Sequence, residues 1–278
     1  MSRPARESFS ELSARERARV LLDPGTFREL LGPFERMKSP WLPRQGVVAQ
    51  ADDGVVVARG RIGGEDAVIA AVEGAYQGGS IGEVSGSKIA GALELALRDC
   101  ERGRRVRPVL LLETGGVRLQ EANLGLAAIA EIHAAIVALR RHVPVVCVVA
   151  GLVGCFGGMS LAAALCSRLI ITRPARLGMN GPEVIEQEAG IGELDAMDAR
   201  EVWGLMGGEQ RVATGFADVL IEDDTVAIAA EVRRAFDNVP PPRSEQVDAW
   251  SARLAGIDAQ HPPEPRALRA LWLRGEDH

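Results

Sequence analysis

The sequence predicts an α/β fold with right-handed crossovers, and three observations carry that prediction. Pro108–Glu113 (PVLLLE), Val143–Ala150 (VPVVCVVA) and Arg168–Thr172 (RLIIT) are short apolar runs with little polar alternation, as in strands buried on both faces. The first two runs each lead to a glycine pair. Beyond each pair the spacing turns helical, from Arg118 to Arg141 and through Met159–Cys166.

The other elements follow in chain order. Residues 8–38 read as short helices broken at Asp23-Pro24-Gly25 and Gly32-Pro33, an N-terminal arm outside the core. Val55–Gly60 and Ala67–Gly74 read as a small antiparallel pair joined through the Gly63–Gly64 turn. Helical spacing starts after Gly82 and runs to Cys100. Two more helices are expected near Val226–Phe236 and Ser244–Leu254. Pro240–Arg243 and His261–Pro265 flank the second and mark a solvent-exposed or partner-binding tail. The chain therefore divides into a helical arm (1–50), a core (51–238) and a Pro-containing helical tail (239–278).

Composition narrows the function classes. With 278 residues the chain can bury a sizeable core of its own. A net charge of −6 with interleaved signs argues against a nucleic-acid protein, which needs a basic face. No run of about 18 apolar residues exists, so no membrane helix is expected. The opening MSRPARESFSELSARERARV is charged throughout and does not read as a secretory signal. Cys100, Cys147, Cys155 and Cys166 form no CxxC pair and have no histidine at ligand spacing. Reduced thiols, no metal site and a cytoplasmic location are expected. Cys155 precedes a glycine pair, but no His or Lys adjoins it to activate the thiol, and it reads as structural.

Any chemistry lies in the two glycine turns, Thr114–Glu121 (TGGVRLQE) and Gly154–Ser160 (GCFGGMS). Both stand where a buried strand ends and a helix begins, the place where α/β proteins collect ligands. A helix start supplies unsatisfied N–H groups and a positive dipole end. Glycine lets a ligand reach those amides without a Cβ in the way. Two such turns on successive strands can aim N–H groups at one developing oxyanion. The plain alternative is that the glycines only permit close strand–helix packing. Phosphate binding is disfavoured, because neither turn has the P-loop or dinucleotide pattern and no Lys follows either pair. Gly78–Gly82 (GGSIG) has the letters of a nucleophile elbow, yet it follows Ala75-Tyr76-Gln77 rather than a buried strand and reads as a turn. Arg118 and Glu121, three residues apart, read as an ion pair at a helix start. His133 reads as a helix-face residue, and His261 and His278 fall in the tail.

Taken together, these segments resemble the carboxyltransferase family, which includes the β subunits of acetyl-CoA and propionyl-CoA carboxylases. TGGVRLQE is similar to its SGGARMQE-type motif, and GCFGGMS to its second glycine motif about 40 residues later. Asn180–Glu186 (NGPEVIE) matches its GPxVIE landmark, Gln77–Gly86 (QGGSIGEVSG) its GGSxG turn, and Ala14–Leu30 its entry arm. The segments span roughly residues 13 to 222 in the family's order. Thr114 replaces the usual Ser, and Val117 the usual Ala. No four-cysteine zinc ribbon precedes them, unlike the bacterial acetyl-CoA carboxylase type, and the length is about half that of the propionyl type. Gln77–Asp99 and Leu111–Ile132 are most similar to the β subunits of biotin-independent malonate decarboxylases.

That resemblance implies a crotonase-like fold of the ClpP/crotonase type, a spiral of ββα units with surrounding helices. It implies decarboxylation of malonyl-S-acyl carrier protein to the acetyl form and CO₂ through a thioester enolate. Backbone amides of Gly116, Val117, Gly157 and Gly158 would form the oxyanion hole, and Gly78, Gly79, Ser80, Gly115, Arg118, Asn180 and Gly181 would bind substrate. The implied partners are a homologous γ subunit, an acyl carrier protein (δ) and an acyl transferase (α) subunit. The chain would bind no cofactor, metal or biotin itself, the phosphoribosyl-dephospho-CoA arm belonging to the carrier. Two other readings stay open: a biotin-dependent carboxyltransferase half, and a non-catalytic scaffold that keeps the fold. No proton donor is nominated, and Gly158→Val is expected to abolish turnover while leaving the subunit folded.

Overall fold

The structure is a computed structural model that describes residues 7–258 and 260–273. The first six residues of the opening stretch and His278 lie outside the described residues. Seven strands form one sheet in chain order: β1 (Arg28–Leu30), β2 (Val55–Ile62), β3 (Glu65–Val72), β4 (Arg107–Leu112), β5 (Val146–Val149), β6 (Arg168–Thr172) and β7 (Val219–Ile221). β1, β2 and β3 pair antiparallel, and β3 through β7 pair parallel. The expected antiparallel pair is thus present, continuous with the parallel sheet.

Helices cover both faces, which is why the strands read as nearly unbroken apolar runs. Alternate strand residues enter opposite cores. Val57, Ala70, Leu110, Cys147 and Ile171 face α2 (Glu83–Glu101), α3 (Asn123–Leu139) and α4 (Gly158–Leu165). Val56, Ile69, Leu111, Val148 and Ile170 face α1 (Ala14–Leu21) and α8 (Thr225–Ala235). Between β6 and β7 lie α5 (Pro182–Ala189), α6 (Ala199–Met206) and α7 (Gly208–Ala213), and α9 (Val247–Ala255) and α10 (Pro265–Leu273) close the described chain.

Three expectations need correction. The N-terminal arm is part of the core: Phe9, Ala14, Ala18, Leu21 and Leu22 are buried against the sheet, and Arg28–Leu30 is a strand. Ala14, Ala18 and Leu21 share one face of α1, and Arg17 on that face is buried because its guanidinium meets the Glu113 carboxylate at 2.6 Å. The helix expected from Arg118 starts only at Asn123. Val117 pairs with Ile81, Arg118 N donates to Ile81 O, and Ala122 at φ 45° separates a short 3₁₀ turn from α3. The tail is not wholly exposed, since Trp272 of α10 is buried edge-on against Trp250 of α9, which packs on Phe216.

Candidate active site at two glycine turns

β4 and β5 are parallel neighbours, and the chain leaves both at the same edge of the sheet. Past their ends a short parallel bridge between Thr114 and Cys155 keeps the two segments together. Thr114 N donates to Gly154 O at 2.7 Å, and Phe156 N to Thr114 O at 3.0 Å. The two glycine pairs then meet. Gly116 (φ 104°) and Gly157 (φ 60°) approach so closely that a Cβ on either would lie 3.3 Å from the other's Cα. Only glycine fits both the positive φ and the contact. A Cβ at Gly157 would also lie 3.9 Å from Val117 N, so that nitrogen stands close to the second turn.

Hydrogen bonding sorts the four amides expected to make the hole. Gly116 N donates to Thr114 Oγ1 at 3.0 Å, and Gly157 N to Met179 O at 2.8 Å. Val117 N and Gly158 N have no acceptor among the described residues. Gly158 opens α4, so its N–H is one of the orphan donors at a helix start and carries the positive end of the dipole. The bonded amides fix the shape of the turns, and the unbonded ones are available to a ligand.

The remaining expected site residues surround this pair. Gly115 N donates to Gly78 O at 2.9 Å and Ile81 N to Gly116 O at 2.8 Å, so the Gly78-Gly79-Ser80 turn braces the first glycine turn from behind. Asn180 is exposed beside Met179, and Gly181 caps α5. Arg118 is closed off from solvent, contrary to the substrate-binding role the resemblance implies. Its side chain is 0% exposed, with ion pairs of 2.9 Å to both Asp53 and Glu121. It also donates to Ser80 O at 3.0 Å and lies 5.5 Å from the centre of the Tyr76 ring. The expected Arg118–Glu121 pair is present, and sequence reasoning missed its third member, Asp53, 65 residues away.

The carboxylates of this cluster differ in charge balance. Burial pushes Asp53 above its ordinary value, against the pull of Arg118. Burial would also raise Glu121, but bonds from the Ser39 hydroxyl, the Glu83 amide and Arg118 outweigh it and hold Glu121 below the usual carboxylate range. Behind the second turn, Glu113 accepts from Val153 N at 3.3 Å and from Arg17. These charges are spent on fixing backbone, not on facing a substrate.

Cys155 is fully buried and burial pushes its thiol up, so it is not poised as a nucleophile. Ser80 accepts from Arg118 Nε at 3.3 Å and has no histidine among its hydrogen-bond partners. His133 Nε2 lies 2.8 Å from Gly158 O, a contact the helix-face reading did not foresee. The expectation that Gly158→Val leaves the fold intact is also corrected. A Cβ at Gly158 would sit 2.8 Å from Ile129 Cγ2, on a β-branched and therefore stiff side chain. Among the described residues no three His, Cys, Asp or Glu side chains form a metal-binding group. No helix there is long and apolar enough to cross a membrane.

The sequence pattern of the carboxyl transferase domain matches residues 8–272. The chain belongs to the carboxyl transferase family. It is similar to a subunit of a Pseudomonas malonate decarboxylase hetero-tetramer solved with malonate: 60% identity, TM-score 0.94, covering 96% of this chain and 98% of that one. A subunit of a Pseudomonas malonate decarboxylase hetero-dimer matches at 56% identity and TM-score 0.75, over 89% and 96% of the two chains. The malonyl-S-ACP:biotin-protein carboxyltransferase of Malonomonas rubra is 42% identical over 227 residues, 78% of this chain and 71% of the relative. The fold of this carboxyl transferase chain is accordingly crotonase-like, as the resemblance implied.

Proposed function

We propose that this chain is the β subunit of a malonate decarboxylase, acting on a malonyl thioester of an acyl carrier protein. The observation that carries the proposal is the pair of unbonded amides, Val117 N and Gly158 N, brought together by contact of the two glycine turns. When the bond to the carboxylate breaks and CO₂ leaves, its electron pair becomes the enolate double bond. The thioester oxygen then takes up negative charge. Two fixed N–H dipoles bind that oxyanion more strongly than the neutral carbonyl, which lowers the barrier. Each such donor is worth about 10²–10³ in rate, roughly 2.7–4 kcal/mol.

Charge at the site comes from backbone. Gly78, Gly79 and Ser80 brace the turn that contains Gly115, and Asn180 and Gly181 follow Met179, whose carbonyl holds Gly157 N. Among the described residues no acidic or basic side chain is nominated to protonate the α-carbon, and water or a partner subunit supplies that proton. A partner is supported by exposed apolar residues around the turns: Leu119 is 81% exposed, with Leu124, Leu126 and Leu161 also on the surface. In this reading a homologous γ subunit covers that surface, and α and δ subunits complete a cytoplasmic complex. The phosphoribosyl-dephospho-CoA arm arrives on the carrier as substrate.

The Malonomonas relative supports a second reading, transfer of the carboxyl group to a biotin protein. The higher identity and fuller coverage of the decarboxylase subunit favour the first. CO₂ release from malonyl-S-acyl carrier protein by the purified complex, with and without avidin, separates them. Release indifferent to avidin is expected; complete inhibition would establish the biotin-dependent reaction.

A further inference from the structure

Gly158 carries one of the two unbonded amides and, as a glycine, has no side chain to anchor it. The structure supplies that hold from α3. Ile129 and His133 stand four residues apart and share one face of the helix. Ile129 Cγ2 occupies the space a Cβ of Gly158 would need, 2.8 Å from that position, and so acts as a stop against the Cα. His133 Nε2 lies 2.8 Å from Gly158 O. A carbonyl can only accept, so Nε2 carries the proton and donates. The carbonyl has two lone pairs, one for the helix ladder and one for the imidazole. Gly158 is thus held twice from the same face of α3, by a steric stop and by a hydrogen bond.

We propose that His133 is a positioning residue for the oxyanion hole, holding the first turn of α4 so that Gly158 N–H keeps its aim. His133 does not touch the reacting atoms. It acts through the peptide unit that follows Gly158, and α4 needs such an anchor because no side chain caps its N-terminus. The second turn is otherwise tied by Met179 O to Gly157 N and by Ser160, whose Oγ donates to Gly157 O at 2.7 Å. The Ser160 bonds hold the peptide plane that ends in Gly158 N–H, and the bond from His133 holds the next plane, so the two planes that flank the Gly158 Cα are both fixed. The inference rests on Gly158 N–H being an oxyanion donor.

The test compares His133→Leu, which removes the donor, with His133→Gln, which presents an amide N–H on a flexible chain of similar reach. Both are made in the native assembly, and kcat and KM are measured on the malonyl thioester. Hydrogen exchange of the segment 157–165 is followed in parallel. His133→Leu is expected to lower kcat about 10-fold, as a misplaced catalytic group does, with KM within about two-fold. Exchange in the first turn of α4 should quicken, and His133→Gln should restore most of both. Wild-type kcat in His133→Leu, or equal loss in the two variants, would overturn the proposal. So would unchanged exchange in all three proteins. If the wild-type assembly released no CO₂, the decarboxylase reading would fall, while the exchange data would still decide whether His133 holds the turn.

Discussion

Replacing Gly158 with proline deletes one N–H and leaves the rest of the backbone path available. Gly158 is the first residue of α4, where proline's fixed φ fits and its missing donor breaks no helical bond. Gly157, at φ 60° and ψ −145°, already lies outside the α region that proline denies to its predecessor. The obstacle is the new Cβ, which would meet Ile129 Cγ2 at 2.8 Å. Ile129→Ala removes that atom at a cost of about 2–5 kcal/mol in stability, so the informative pair is Gly158→Pro and Gly158→Ala, both in the Ile129→Ala background. The alanine variant keeps the amide and the proline variant lacks it. With one of two oxyanion donors gone, kcat should fall about 10²–10³-fold between the two, while their melting temperatures stay close. Single-turnover CO₂ release from the malonyl thioester gives the chemical step directly. A proline variant within about three-fold of its alanine partner would show that Gly158 N–H does not stabilise the enolate.

Arg118→Met should destabilise the chain by about 3–5 kcal/mol in urea, because Asp53 and Glu121 would stay buried without their shared counter-charge. Arg118→Lys should recover little, since one ammonium cannot span Asp53, Glu121 and Ser80 O as the guanidinium fork does. Burial would raise Asp223, but bonds from the Ser10 and Ser8 hydroxyls and the Ser10 amide outweigh it and lower its pKa. Its contribution is therefore fully present above the unfolded value of about 3.9 and is lost as pH falls through the lower folded value. The stability gap between wild type and Asp223→Asn should be flat at neutral pH and close below about pH 3.9, by denaturant titration. Cys155→Ala should keep CO₂ release within about three-fold, and the native protein should resist iodoacetamide at that thiol, because Cys155 is buried with its pKa raised.

The parallel strands were legible because burial on both faces leaves an unmistakable apolar run, as in PVLLLE and VPVVCVVA. The helix α1 was half legible. Ala14, Ala18 and Leu21 mark a buried face, but Arg17 interrupts it and belongs there only through Glu113, 96 residues later. The late start of α3 was hidden for the same reason, since Ile81 holds Val117 and Arg118 extended from a distant turn. The glycine pairs could be read from spacing, yet not which amides they free. That depends on Thr114 Oγ1 and Met179 O, one local and one from another loop.

This sorting of amides explains why charged residues gather at the site without entering it. Arg17, Asp53, Glu113, Arg118 and Glu121 are all buried, and each touches an opposite charge, with Asp53 and Glu121 sharing Arg118. A cation beside the enolate oxygen would stabilise it, but it would equally bind the malonyl carboxylate in the ground state and favour retention of CO₂. Backbone dipoles at a helix start are short in range and fixed in direction, so they favour an oxygen that sits on their axis over an anion elsewhere. Turning the charges inward ties the turns together and leaves N–H groups as the free donors, so on the proposed mechanism the selectivity for the transition state resides in geometry. For that reason changes that loosen Gly158 without altering any charge, at Ile129 or His133, should be felt in kcat before they are felt in binding.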